Sequence, residues 1–126
     1  MTINSRTKGA AFERLIVTKI NECFAEEGIE DRVSRNFDQT WKPGLADIYF
    51  RNFCIECKRY GNSNTNMYRQ AWWDQVVKSA GDDFIPLLIY KFNRKPIYCV
   101  VPLWLFSNEE NSNKSNDRIA NVPLED

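Results

Sequence analysis

Two short apolar runs, residues 45–50 (LADIYF) and 53–58 (FCIECK), stand two residues apart, and each is broken by one carboxylate. No other feature constrains the chain as tightly. Runs of this length and content predict strands. The spacer Arg51-Asn52 predicts a tight turn and a hairpin. Alternate residues of a strand share a face. Glu56 and Lys58 therefore point the same way as Cys54, and Phe53, Ile55 and Cys57 point the other way. Asp47 falls on the face of Leu45 and Tyr49. When the two strands pair, Asp47 and Glu56 can converge. A carboxylate inside an apolar strand is costly unless it has a partner or a task.

The remaining elements follow from periodicity. Residues 6–27 predict a helix, with Phe12, Leu15, Ile16, Ile20, Cys23 and Phe24 at helical spacing and Gly28 as its stop. Glu13 falls inside the apolar arc, beside Ile16, Val17 and Ile20. It either reaches water at the edge of the stripe or serves a site. Residues 31–37 alternate loosely and predict a strand, followed by a loop punctuated by Pro43-Gly44. Residues 61–66 are a polar loop. Residues 67–80 predict a second helix, with Trp72, Trp73, Val76, Val77 and Ala80 on one face and Gly81 at its end. Residues 85–91 and 96–103 predict two more strands around a turn at Asn93-Arg94-Lys95, and 104–106 a short turn of helix. From Ser107 onward the chain is rich in Asn and Ser. Residues 1–106 thus read as one domain and 107–126 as a flexible tail. Helix, three strands, helix and two strands make an α/β (α+β) fold, a mixed sheet flanked by helices.

Composition limits the function classes. The chain has 126 residues, suited to a single domain, and is 43% hydrophobic, enough for a core. Its formal net charge is zero, which argues against nucleic acid. The distribution weakens that objection: residues 32–95 hold 11 Lys/Arg and six Asp/Glu, two of the six being Asp47 and Glu56. With no histidine, Ser-His-Asp and Cys-His mechanisms fail, as do most zinc patterns. Cys54 and Cys57 have no second ligand pair, and all four cysteines read as reduced thiols. With no leader and no run of about 20 apolar residues, a soluble cytoplasmic protein is expected.

Asp47 and Glu56 on paired strands would make a hard oxygen site of the kind Mg²⁺ prefers. Lys58 would lie one side chain away. Phosphodiester cleavage needs these types: a metal-activated water, neutralisation of the phosphate, and a cation for the extra negative charge. By itself E-x-K on a strand is ordinarily a solvated face. What lifts it is context: a Pro-Gly loop before Asp47, an apolar strand ending at Lys58, and an aromatic-rich helix after it.

In order and spacing these segments resemble the PD-(D/E)XK nuclease superfamily, and within it the Holliday-junction resolvases of archaea and phages. The likeness spans about residues 5–101: SRTKGAAFERLI, similar to the resolvases' opening K-G-x-x-x-E; GLADIYF; IECK; then a helix and IPLLIYKF. Ala46 stands where the motif's name expects Pro, a position without a metal role. The resemblance implies a restriction-endonuclease-like αβββαβ core and Mg²⁺ as cofactor, with Mn²⁺ able to substitute. It implies Asp47, Glu56, the Cys57 carbonyl and Glu13 as metal ligands, and Lys58 as the catalytic lysine. Gln70 is similar to a glutamine carried on the second helix of many relatives. QAWWDQVVKSAG also resembles the corresponding helix of the VRR-NUC branch, with Gln75 the rival for that glutamine. Arg6, Lys8, Arg32, Ser34, Arg35, Lys42, Arg59 and Arg69 could bind DNA phosphates. Trp41 and Tyr60 could stack or wedge at a junction. Trp72 and Trp73 belong to the core or a subunit interface. The leading expectation is a homodimeric resolvase that cuts four-way junctions. The alternatives are a nuclease acting on flaps, ends or foreign duplex, and a DNA-binding module of the same fold without catalysis.

Overall fold

The computed structural model describes residues 5–34, 46–106 and 115–124, with only the backbone of 5–8. Its elements are α1 (Ser5–Glu26), β1 (Ile48–Phe50), β2 (Phe53–Arg59), α2 (Gln70–Ala80), β3 (Ile85–Lys91), β4 (Tyr98–Pro102), a 3₁₀ turn at Leu103–Phe106, and β5 (Ile119–Pro123). The strands form one sheet in the order β1-β2-β3-β4-β5. β2 and β3 are parallel, joined through α2, and every other neighbouring pair is antiparallel. This is the expected α+β fold with a mixed sheet.

Alternation along the strands builds two cores. On one face Cys54, Leu88, Tyr90 and Val100 pack beneath Trp72, Trp73, Val76 and Ala80 of α2. On the other, Ile55, Ile89, Cys99 and Val101 pack against Phe12 and Ile16 of α1. Neighbours 54 and 55, or 88 and 89, thus belong to different cores, as a period of two requires. Trp72 and Trp73 are core residues.

The β1–β2 hairpin forms as the spacing predicts, with Phe50 opposite Phe53 and Ile48 opposite Ile55. Its two-residue turn has Arg51 at φ 52°, the left-handed backbone that such turns need at a central position. α2 begins at Gln70 and not at residue 67. The hydroxyls of Ser63 and Thr65 accept the N–H groups of Thr65 (3.2 Å) and Met67 (3.1 Å), and such local bonds compete with helix.

Two expectations fail for identifiable reasons. Residues 31–34, the described part of the segment 31–37, are not a strand. The Asn21 side chain of α1 takes both backbone groups of Val33: Val33 N–H donates to Oδ1 (2.7 Å), and Nδ2 donates to the Val33 carbonyl (3.0 Å). Val33 itself is buried in the α1 core. A side-chain amide therefore occupies the groups that a neighbouring strand would use. The other failure is the loose tail. Residues 119–123 form the edge strand β5, with Val100 opposite Asn121. Asn121 Nδ2 donates to the buried Tyr90 hydroxyl (2.8 Å), which donates to the Asn66 carbonyl (2.7 Å). The polar residue that made this segment look like tail is what fastens it.

Asn121→Ala should therefore cost about 1–2 kcal/mol, the usual value for stranding a buried hydrogen-bonding group. Val122→Ala, at an exposed position of the same strand, should cost under about 0.5 kcal/mol. Urea unfolding of the two variants checks this, and equal losses would show that Asn121 does not fasten β5.

Candidate active site

The buried charged side chains among the described residues are Asp47 (7% exposed) and Glu56 (4%). Their meeting follows from register. Ile48 lies opposite Ile55, so one further step places Asp47 beside Glu56. Asp47 occupies a bend just before β1. The Ala46 N–H donates to the Tyr49 hydroxyl (3.1 Å), and the Tyr49 ring packs edge-on against Phe84. The Asp47 carboxylate accepts the Cys57 N–H through Oδ2 at 2.8 Å. Asp47 is thus held from its own backbone and from β2.

Glu56 shares the α2 face of the sheet with Cys54 and Lys58. Gln75 Nε2 of α2 donates to Glu56 Oε1 at 3.4 Å. Oε2 is buried, and no donor among the described residues reaches it. Burial pushes the Glu56 carboxyl up to about 8; the negative charge of Asp47 adds to the rise, Lys58 opposes it, and a hydrogen bond with Asp47 and the charge of Glu13 raise it further. Glu13, half-buried on α1, also acts on the Cys57 thiol. Asp47, Lys58 and Glu13 are therefore all within electrostatic reach of Glu56, in the C-terminal half of β2.

No group of three or more His, Cys, Asp or Glu side chains among the described residues gathers closely enough to hold a metal ion. Glu13 does not join the two carboxylates in a closed three-carboxylate shell. Asp47 and Glu56 still fit a divalent cation that takes one or two carboxylates and keeps several waters, as Mg²⁺ does. Two buried, mutually repelling carboxylates and a donorless oxygen are what a cation would relieve.

The structure separates the two candidate glutamines. Gln70 is exposed and donates to Asp74 Oδ1 at 3.0 Å. Gln75 reaches Glu56. Five residues of helix turn a side chain through about 500°, so the two lie roughly 140° apart around α2. Gln70 is therefore not at the site.

The DNA-facing candidates also divide. Arg32 bonds the Ile29 and Asp31 carbonyls (2.8 and 2.7 Å). Ser34 is exposed. Arg59 bonds the Tyr60 carbonyl and lies 3.5 Å from that of Lys91. Arg69 lies over the rings of Tyr60 (5.0 Å) and Trp72 (5.4 Å). Tyr60 is stacked on Trp72 with centroids 4.8 Å apart and is 37% exposed. Arg6 and Lys8 lie in the first turns of α1, where the backbone alone is described; Arg35, Trp41 and Lys42 lie outside the described residues. Cys54 and Cys57 face opposite cores, as alternation predicts. Burial pushes the Cys54 and Cys99 thiols up to about 11 and about 12, so neither is a nucleophile at neutral pH. A cavity of about 380 Å³ between Asn52, Asp82, Asp83, Trp104 and Asn116 lies at the opposite end of β2 and β3.

The raised Glu56 carboxyl has a consequence for stability in metal-free buffer. Below about 4.5, its ordinary value, the group is protonated in both folded and unfolded chains. Between about 4.5 and about 8 the unfolded chain ionises while the folded one keeps its proton. Rising pH therefore favours unfolding across that window. In EDTA, Glu56→Gln should flatten this slope and be more stable than the parent at pH 8, by on the order of 1 kcal/mol or more. Denaturation at pH 5 and pH 8 measures it; parallel slopes for the two proteins would refute it.

Among the described residues no helix is long and apolar enough to cross a membrane. Comparison with curated proteins and with solved structures gives no match. The model of one family, described as "Phage putative PDDEXK endonuclease", matches residues 4–125. That span includes Glu13, Asp47, Glu56, Lys58 and Gln75, and it runs through β5. The chain belongs to this phage PDDEXK endonuclease family, and so to the PD-(D/E)XK superfamily.

Proposed function

We propose that the protein is a Mg²⁺-dependent DNA endonuclease that hydrolyses phosphodiester bonds, acts as a homodimer, and prefers branched substrates such as four-way junctions. The observation that carries the reading is the buried pair of Asp47, in the bend that leads into β1, and Glu56 of β2, with Lys58 on the Glu56 face. Asp47 and Glu56 would hold the ion. The Cys57 carbonyl is the third candidate ligand. In an extended strand the N–H and C=O of one residue face the same side, and the Cys57 N–H faces Asp47. Bound Mg²⁺ would supply an activated water and a counter-charge for the phosphate.

The chain's own groups do the rest. Lys58, next on the Glu56 face, would stabilise the negative charge that develops on the phosphate or orient the water. Gln75 would fix the Glu56 carboxylate through its amide. Glu13 would act from α1 through a water. The junction preference rests on the likeness of SRTKGAAFERLI, GLADIYF and IECK to the resolvase pattern. The homodimer rests on the two symmetric cuts that a four-way junction needs.

The test is cleavage of a labelled four-way junction and a matched linear duplex in Mg²⁺ or EDTA. Asp47→Asn, Glu56→Gln and Lys58→Ala should each lower cleavage at least about a hundredfold. Gln75→Ala should lower it more than Gln70→Ala. Paired nicks confined to the junction are expected. Equal cutting of both DNAs would remove the junction preference, and cutting in EDTA would remove the metal mechanism.

A further inference from the structure

Residues 57–73 and 84–106 contain Lys58, Arg59, Arg69, Lys91, Arg94 and Lys95 and no Asp or Glu. The fold gathers these cations at one end of the sheet. β2 and β3 run parallel, with Lys58 opposite Tyr90 and Arg59 opposite Lys91. Beyond the strands, Tyr60 N–H donates to the Lys91 carbonyl and Asn93 N–H to the Gly61 carbonyl, each at 3.0 Å. Asn93 Nδ2 donates to Asn62 Oδ1 at 3.2 Å. The loop after β2 and the turn after β3 thus form one ledge. The turn is braced from inside: Lys91 Nζ donates to the carbonyls of Lys95 (2.9 Å) and Phe92 (3.2 Å). Arg94, exposed, takes the left-handed backbone at φ 62°.

Arg69 faces the ledge from the start of α2. Its guanidinium carbon lies 5.0 Å from the Tyr60 centroid and 5.4 Å from that of Trp72, and a guanidinium held by rings still carries N–H donors that suit a phosphate. Alternation puts Glu56, Lys58 and Tyr60 on one side of β2. Lys58 therefore stands between the carboxylate pair and the Arg69 platform. Tyr60 is about 13 Å past Glu56 at the usual strand rise. At 3.4 Å per nucleotide along one DNA strand, that is about four nucleotides. The acids that border these segments in sequence are Glu56 of the carboxylate pair, Asp74, bonded to Gln70, and Asp83, just before the start of β3 and so at the other end of the sheet.

We propose that duplex DNA runs from the cleavage site along β2 and over this ledge, its phosphate backbone held by Arg69 about four nucleotides from the cut and by Arg94 and Lys95 beyond. The proposal rests on the nuclease reading for its direction and substrate. It is tested by binding alone. The anisotropy of a fluorescein-labelled 30-base-pair duplex is followed with the full chain in EDTA over a range of KCl. Arg69→Gln should lower the slope of log affinity against log salt by about 0.9, and Arg94→Asn with Lys95→Gln by about 1.8. Asn suits the left-handed position of residue 94. Lys78→Gln, exposed in the last turn of α2, should leave the slope unchanged. Thermal melts confirm that each variant is folded. Unchanged slopes in Arg69→Gln and the double variant overturn the proposal even if the protein cuts DNA. Lowered slopes uphold it even if the protein cuts nothing, in which case the nuclease reading fails alone.

Discussion

The hydrogen bond from the Cys57 N–H to the Asp47 carboxylate, 2.8 Å long, is the contact on which the site depends. The β1–β2 ladder ends at Ile48 and Ile55. The next N–H on that side of β2 would be left without a strand partner, and buried backbone groups need one. Asp47 supplies it from its side chain. In doing so it brings a fixed negative charge against Glu56, whose carboxyl is already disfavoured as an anion by burial. The same bond thus completes the sheet and loads the site. The cost of keeping both carboxylates here in the absence of a cation falls on Glu56, which holds its proton.

Much of this was legible in the residues because strands and helices keep simple periods. The alternation Cys54-Ile55-Glu56-Cys57-Lys58 told which side chains share a face, and both cores follow it. Trp72, Trp73, Val76 and Ala80 repeat at helical spacing and are buried together. What escaped were elements made by side chains standing in for backbone. Nothing in DRVS announces that Asn21, a helical turn and more away, will take both backbone groups of Val33. Nothing in IANVP announces that Asn121 will bond Tyr90, because an isolated Asn reads as a turn or tail residue. At the site, spacing left two glutamines on α2 eligible, and only the angle of the helix against the sheet distinguishes Gln75 from Gln70.

The sheet divides its labour along its width. The carboxylates and Lys58 lie on β2 and in the bend before β1, and the ring platform under Arg69 is Tyr60, just past β2, with Trp72 of α2. β4 and β5 give no side chain to the carboxylate cluster. They bury Val100, Cys99 and Val101 and, through Asn121, fasten Tyr90 and with it the loop that leads into α2. The fasteners lie on one side of β3 and the chemistry on the other, so stability and reactivity are set by largely separate residues.

The turn at Arg51-Asn52 determines which atoms can meet. A strand presents opposite faces at successive residues, so the partner of Glu56 is decided by how many residues separate the strands. Two residues place Asp47 there. One more would leave the chain two choices, a looser loop that preserves the pairing or a shifted pairing that turns Asp47 to the far side of the sheet. In this hairpin the length of a connection is part of the recipe for the site, and it is an instruction that neither residue composition nor a search for acidic residues would reveal.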